Sequence, residues 1–380
     1  MQNNPMRFLV TGARAPVAFE WAQTLLKQGH QVYLTDCTRF PLARYTKGVS
    51  GYIKTPAPKT DFSGYRAAIL EAIDHFDIQV VIPTCEEVFY LAKFINERPN
   101  VNGFMPPPDL LYALHNKKDV LGLLENLPSV KLPTTQLITD KKQIDIDSNS
   151  ILKPIYSRFG TDIIRDISIE AISSIEVSKQ YPWVQQQKLS GAPLCLYAVF
   201  EHGKLIEHQC YLPKYCLNHS AATYFEPTED AIVSRFIETF GIQHNYHGQV
   251  SFDFMEHNGD IYAIECNPRA TSGLHLIGDL LLWNKDEFTS KRTSALNCPK
   301  VSAKHLGGVM LICDGLKSLF NKKSWSDFLN TPSAIPVSQV PITVYGTALG
   351  FMELLYNAKK QDLSLSAATT FDIEWNGESE

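Results

Sequence analysis

What this sequence lacks narrows its chemistry first. It has no excess of basic charge: 35 Lys and Arg stand against 40 Asp and Glu, for a formal net charge of −5. Without a basic stripe, binding along a nucleic-acid backbone is not expected. No apolar run approaches the roughly 18 residues of a membrane span. The opening residues MQNNPMRFLV also lack a secretory h-region, so a cytoplasmic location is expected. The eight cysteines contain no CxxC pair. Several, such as Cys37, Cys195, Cys266 and Cys313, sit in apolar strand-like contexts, as reduced thiols do. His208, Cys210, Cys216 and His219 come nearest to a soft-metal set, but their spacing fits no zinc template. There is no convincing Ser/His/Asp or Cys/His arrangement for a nucleophilic side chain.

The 380 residues are 44% hydrophobic and 20% charged, enough for two or three domains with substantial cores. Arg7–Thr11 is a short apolar run that reads as a buried parallel strand. A helix over about Val17–Gln28 ends at Gly29, and a second strand, Gln31–Thr35, carries Asp36 at its tip. Helix Gly64–Phe76, strand Gln79–Pro83, a turn at Thr84–Glu87 and a helix over Val88–Glu97 continue the alternation, which predicts a doubly wound α/β domain. Arg14 and Glu86 then fall at the carboxyl ends of the strands, facing a central cleft. A dinucleotide is a rival ligand, with Asp36 as its ribose partner. Against it, the turn after the first strand holds one glycine where a pyrophosphate needs three.

The most informative stretch is Gly248–His275. Two alternating runs, Val250–Phe254 and Ile261–Glu265, flank Asn258-Gly259-Asp260 and predict a β-hairpin. Asp253 lies on one strand, with Glu265 and Asn267 at the end of the other. Two carboxylates and an amide oxygen within a few ångströms suit Mg²⁺, particularly when substrate phosphates complete the octahedron. Ser251 shares a face with Asp253 and competes with it as the first ligand. Arg269 and the turn Thr271-Ser272-Gly273 follow. On residue type alone a strand glutamate is usually solvated, but Glu265 ends an apolar run and needs a partner or a metal.

The block Glu265-Cys266-Asn267-Pro268-Arg269 closely resembles the metal-binding signature of the ATP-grasp superfamily, which includes carbamoyl-phosphate synthetase and the L-amino-acid ligases. The resemblance covers roughly residues 7–285. It implies a Rossmann-like domain over 1–107 and an ATP-grasp module over 108–290. The module divides into subdomains at about 115–187 and 188–290, and a mixed segment, 291–380, follows. It further implies ATP and Mg²⁺ (or Mn²⁺) bound by this chain. Asn116-Lys117 stands where a helix-opening lysine meets the phosphates, so Lys117 is favoured over Lys118. Lys153, ending the strand before Pro154, matches the lysine on the α- and β-phosphates. Ser157, Arg158 and the backbone around Gly160 occupy the phosphate-covering loop, here with only one glycine. Gln187, Lys188 and Leu189 take the adenine hinge, with Gln187 in place of the common Glu. Pro193 and Leu194 stand where a ribose-binding Glu is frequent. His219 falls near the acyl-phosphate site of carbamoyl-phosphate-synthetase-like members.

The implied function is ligation of a small carboxylate to an amine or other nucleophile through an acyl phosphate. Asp253, Glu265 and Asn267 would hold the metal, and Arg269 the transferring phosphoryl group. An ATP-grasp-type kinase and a nucleotide-binding regulatory protein are the alternatives. After about Thr289 the resemblance stops. A helix over Gly307–Phe320, another near Thr347–Ala358 and a short strand at Thr369–Trp375 are expected there. Padding the sheet, forming a homodimer contact and closing over the acceptor site are equally compatible with this segment.

Overall fold

The structure is a computed structural model that describes residues 5–127, 129–157, 162–217, 221–293, 300–312, 321–335 and 340–377. The first layer comprises β1 (Arg7–Thr11), α1 (Pro16–Lys27), β2 (Gln31–Asp36), β3 (Gly51–Lys54), α2 (Phe62–Phe76), β4 (Val80–Ile82), α3 (Val88–Leu91) and β5 (Asn102–Gly103). Its strands run parallel in the order β3-β2-β1-β4-β5. Phe8, Leu9 and Val10 are wholly buried, as expected of a parallel strand covered on both faces. Pro16 opens α1, where a missing N–H costs nothing, and Gly29 leaves it at φ +84°. The helix predicted over Val88–Glu97 is broken into α3 and a 3₁₀ turn at Ile95–Glu97.

The strand order reverses between β1 and β4, the place where an open parallel sheet ordinarily receives a ligand. Here protein fills it. Thr11 Oγ1 and the Thr84 N–H donate to Glu87 Oε1 at 2.6 and 3.0 Å, and Thr84 Oγ1 donates to the Thr11 carbonyl at 2.7 Å. A Cβ added to Gly12 would stand 2.7 Å from Thr84 Oγ1. A carboxyl group plugging this turn leaves a pyrophosphate no space. Asp36 is likewise occupied, pairing with Arg14 at 2.7 Å. Both observations count against a dinucleotide.

Helices α4 (Pro108–His115) and α5 (Asp119–Leu124) lead to a three-stranded antiparallel sheet. Its strands are β6 (Thr135–Ile138), β7 (Ser150–Pro154) and, after α6 (Ile169–Ser174), β8 (Trp183–Gln187), in the order β6-β8-β7. The next sheet is antiparallel through β9 (Pro193–Glu201), β10 (Lys204–Leu217) and β11 (Ala221–Thr228). After α7 (Ala231–His244) it takes in β12 (Gly248–His257) and β13 (Asp260–Asn267). The predicted hairpin is therefore β12–β13. Phe236 and Phe240 of α7 pack with Phe200, Phe252 and Phe254 in a core on one face of this sheet.

Helix α8 (Leu274–Ile277) and the hairpin β14 (Leu281–Asn284)–β15 (Glu287–Ser290) tie this sheet to the first layer. Trp283 meets Phe8 edge-on, and Phe288 packs on Trp21 and Phe104. The remainder holds β16 (Lys304–His305), α9 (Lys322–Asn330), α10 (Val340–Gln361) and α11 (Leu365–Ala368). Helix α10 contains the one expected near Thr347–Ala358. Gly307–Ile312 is 3₁₀ rather than the start of an α-helix, and 313–320 lie outside the described residues. Thr369–Trp375 is not the expected strand. It folds as turns because its backbone bonds locally, Ile373 N–H to Thr370 O and Glu374 N–H to Thr370 O.

Candidate active site

The hairpin sets the carboxylates. In the β12–β13 register Asp253 stands opposite Glu265, and Ser251 opposite Asn267, with a register shift immediately after Asp253. Like charges facing across a ladder disfavour the sheet, and a bulge is a common device for aiming a side chain at a site. Burial pushes the Asp253 carboxyl up to about 6, and the Glu265 charge adds to the rise. Burial also acts to raise Glu265, but Lys117 and Lys153 outweigh it and hold that carboxyl below its ordinary value.

Two lysines approach from different elements. Lys117, between α4 and α5, is 4% exposed; its Nζ lies 3.3 Å from Glu265 Oε1 and donates to the Ser157 carbonyl at 3.1 Å. Lys153 near the end of β7 is equally buried, with Nζ 3.4 Å from the Ile264 carbonyl. Burial lowers its pKa to about 8, with the neighbouring Lys117 charge acting in the same direction against the attraction of Glu265. The favoured lysine is thus the one at the carboxylates. Lys118 instead donates to the Thr135 carbonyl.

Arg269 closes the other side. Its Nη2 donates to Asn267 Oδ1 at 3.2 Å and lies 3.9 Å from Glu86 Oε1. The Asn267 amide nitrogen, rather than its oxygen, faces Asp253 Oδ2, at 3.4 Å. Ser251 is buried, and its hydroxyl donates to the Leu196 carbonyl. That bond leaves Asp253 as the better-presented oxygen of the pair.

At the other end of the small sheet, Gln187 Oε1 accepts from the Thr134 N–H, and the Lys188 N–H donates to the Asn149 carbonyl. The Leu189 N–H has no such partner among the described residues. Lys188 Nζ turns to the Arg165 carbonyl. The register places Gln187 opposite Ser150 and Lys153 opposite Val184, so Gln187 and Lys153 are three positions, about 10 Å, apart along the strand. Beyond the hinge Gly191 passes so near the Glu256 carbonyl that a Cβ there would sit 1.7 Å from it. Only glycine fits that crossing. Arg158, Gly160 and His219 lie outside the described residues.

Sequence reasoning missed several contributors. Cys195 is the cross-strand neighbour of Asp253 on β9 and hydrogen-bonds to it. Near the carboxyl terminus the Trp375 N–H donates to Glu86 Oε2 at 3.3 Å, and its ring stacks on Tyr112 at 4.6 Å. Arg14, expected at the cleft, is instead sealed between Asp36 and Asp372 at 2.7 and 2.6 Å. A cavity of about 590 Å³ opens between β7–β8 and this terminal segment, lined among others by Tyr156, Ser157, Trp183, Thr370 and Glu374. Its lining includes Ser157 but neither lysine and neither carboxylate. Nor do His208, Cys210 and Cys216 form a metal set: all three lie on β10, His208 and Cys216 eight positions or about 26 Å apart.

No family model and no curated protein matches the sequence. Solved structures do. An L-amino acid ligase from Bacillus licheniformis superposes with a TM-score of 0.57 at 13% identity, over 73% of this chain and 71% of that one. An N5-carboxyaminoimidazole synthetase from Staphylococcus aureus gives 0.59 at 14%, over 83% and 86%. The biotin carboxylase from Campylobacter jejuni gives 0.55 at 14%, over 71% and 67%. The chain has the ATP-grasp fold. At such identities the likeness speaks for architecture and not for substrate.

Proposed function

We propose that this chain is an ATP- and Mg²⁺-dependent ligase that activates a small carboxylate as an acyl phosphate and joins it to an amine or other nucleophile. The observation that carries this reading is the meeting of Lys117 and Lys153 with Glu265 and Asp253 at one end of β13. Phosphoryl transfer asks for charge neutralisation and in-line positioning more than for a nucleophilic side chain, and this cluster offers both signs of charge on rigid elements. The ligases that share the fold support the same chemistry. A Staphylococcus aureus N5-carboxyaminoimidazole synthetase was captured with ADP.

The donor set fits a hard divalent ion. Asp253 and Glu265 repel one another across the ladder, and rotation of the Asn267 amide would bring its oxygen beside Asp253 in place of its nitrogen. Mg²⁺, or Mn²⁺ in its place, would neutralise charge on the β- and γ-phosphates there. Lys117 and Lys153 would hold phosphate oxygens, Ser157 would lie along the triphosphate, and the Gln187–Leu189 hinge would receive the adenine. Arg269 would grip the phosphoryl group in flight by a bidentate contact. In the first step a substrate carboxylate oxygen bonds to the γ-phosphorus and the bond to the bridging oxygen breaks, releasing ADP. In the second, the amine bonds to the acyl carbon, loses a proton, and phosphate departs.

The test is to incubate the full chain with ATP, Mg²⁺ and panels of carboxylic acids and amines while measuring ADP and phosphate. The expected result is release with particular pairs and none in Glu265→Gln. ATP bound without turnover across broad panels would favour a regulatory protein. A phosphorylated product with no new C–N bond would favour a kinase.

A further inference from the structure

A second cluster of ligating side chains lies away from the cleft, in the turn between β9 and β10 and at the entry to β12. Glu201, His202 and His247 each present one donor atom, and the three atoms lie within 4.8 Å of one another. His247 directly precedes β12, six positions before Asp253, or about 20 Å along the strand. The two sites are therefore separate.

The surroundings of these groups are those of a built site. Glu201 and His247 are 5% and 7% exposed. Glu201 Oε1 accepts from the Phe288 N–H at 2.8 Å, which fixes the carboxylate and leaves Oε2 directed at His247. His247 Nε2 lies 3.0 Å from Asn102 Oδ1, a contact that orients the ring and turns Nδ1 toward Glu201. That Nδ1 is 3.1 Å from Glu201 Oε2, yet it has no hydrogen-bond partner among the described residues. A buried ring nitrogen and a buried carboxylate that face each other without a hydrogen bond are costly unless something bonds both of them. A separation of 3.1 Å is close to the roughly 3.3 Å between ligands of one tetrahedral ion with bonds of about 2.0 Å. His202, exposed and parallel to His247 with 4.2 Å between ring centres, can turn to supply the third donor.

We infer that Glu201, His202 and His247 form a site for a single transition-metal ion of the Zn²⁺ class. Two imidazoles and one carboxylate select such an ion over Mg²⁺, which prefers oxygen alone. The Asn102 amide and the Phe288 N–H are the outer partners that orient the ligands. The metal clips the β9–β10 turn and the start of β12 to β5 of the parallel sheet and to β15. Gly248 permits this junction, since a Cβ there would stand 2.9 Å from the Phe104 carbonyl.

The test uses the full chain, stripped with a chelator and titrated with Co²⁺ and with Zn²⁺ in excess Mg²⁺. Retained metal and the visible ligand-field absorption of Co²⁺ are followed. His202 has φ +44°, so His202→Asn is the suitable variant, asparagine being tolerated in that conformation. The expected result is one Co²⁺ or Zn²⁺ per chain in the native protein and in Glu265→Gln, with a higher melting temperature. Affinity should fall by about tenfold or more in His202→Asn and in His247→Gln. Failure of the native chain to retain metal would overturn the assignment. So would retention and ligand-field bands unchanged in both histidine variants.

Discussion

Arg14 and Lys153 are both cations taken out of water, and they stand in opposite electrostatic situations. Arg14 is flanked by Asp36 and Asp372, also bonds to the Thr369 carbonyl, and sits beside Cys37. Burial works against its charge, but Asp36, Cys37 and Asp372 overcome that penalty and hold its pKa above the ordinary value. Around Lys153 the outcome reverses. Burial prevails, Lys117 adds a like charge, and the carboxylates that would compensate are set against each other. The first cluster is closed and holds the terminal segment to the parallel sheet. The second is open, and in the proposed function a metal and phosphates complete it. Strongly shifted groups that their neighbours leave uncompensated are a mark of function, whereas matched ones are usually architecture.

Substitutions should separate the two clusters. The largest effect is expected from Glu265→Gln, which should lower ATP turnover by on the order of a thousandfold or more while circular dichroism shows the fold retained. Arg14→Met comes next. It strands Asp36 and Asp372 in the interior and should cost about 3–5 kcal/mol in urea unfolding, with little change in turnover per folded molecule. Lys153→Met should reduce kcat/KM for ATP by about a hundredfold, yet leave urea stability level or improved, because the buried ammonium was poorly compensated. A loss of stability as large as that of Arg14→Met would erase the distinction between the clusters.

Asp253→Asn should give a smaller, pH-dependent gain. The folded-state pKa is raised to about 6, so the folded chain holds this proton more tightly than the unfolded one. The stability this confers is full below about pH 4 and is lost as pH climbs through about 6. Asparagine avoids that loss. The metal-free variant should melt a few degrees higher than native near pH 7 and at about the native temperature near pH 4. Lys188→Ala should matter least, changing ATP affinity by no more than a few-fold, because its side chain points to Arg165 and the proposed hinge uses only its backbone.

Much of this arrangement was legible in the sequence where chemistry and periodicity coincide. The hairpin at Gly248–His275, the apolar run before Lys153 and the alternation of strands and helices over the first hundred residues all appear in the structure. What was not legible depends on long-range pairing. Asp372 reaches Arg14 across more than 350 positions, and Trp375 reaches Glu86 across nearly 290; no local pattern records either. Thr369–Trp375 reads as a strand because Phe371, Ile373 and Trp375 alternate, but Ile373 is buried from within a turn and Trp375 from the irregular chain just after it. The Glu201–His202–His247 group has no local signature because His247 lies 46 positions from Glu201 and joins it only once β9 pairs with β12.

The most direct measurement is calorimetric titration of the full chain with a non-hydrolysable ATP analogue, with and without Mg²⁺, in the native protein and in Glu265→Gln. The open cluster should give binding that tightens at least tenfold with Mg²⁺ in the native chain and loses that dependence in the variant. Equal affinity in all four titrations would contradict the assignment of Lys117, Lys153, Asp253 and Glu265 to a metal–triphosphate site.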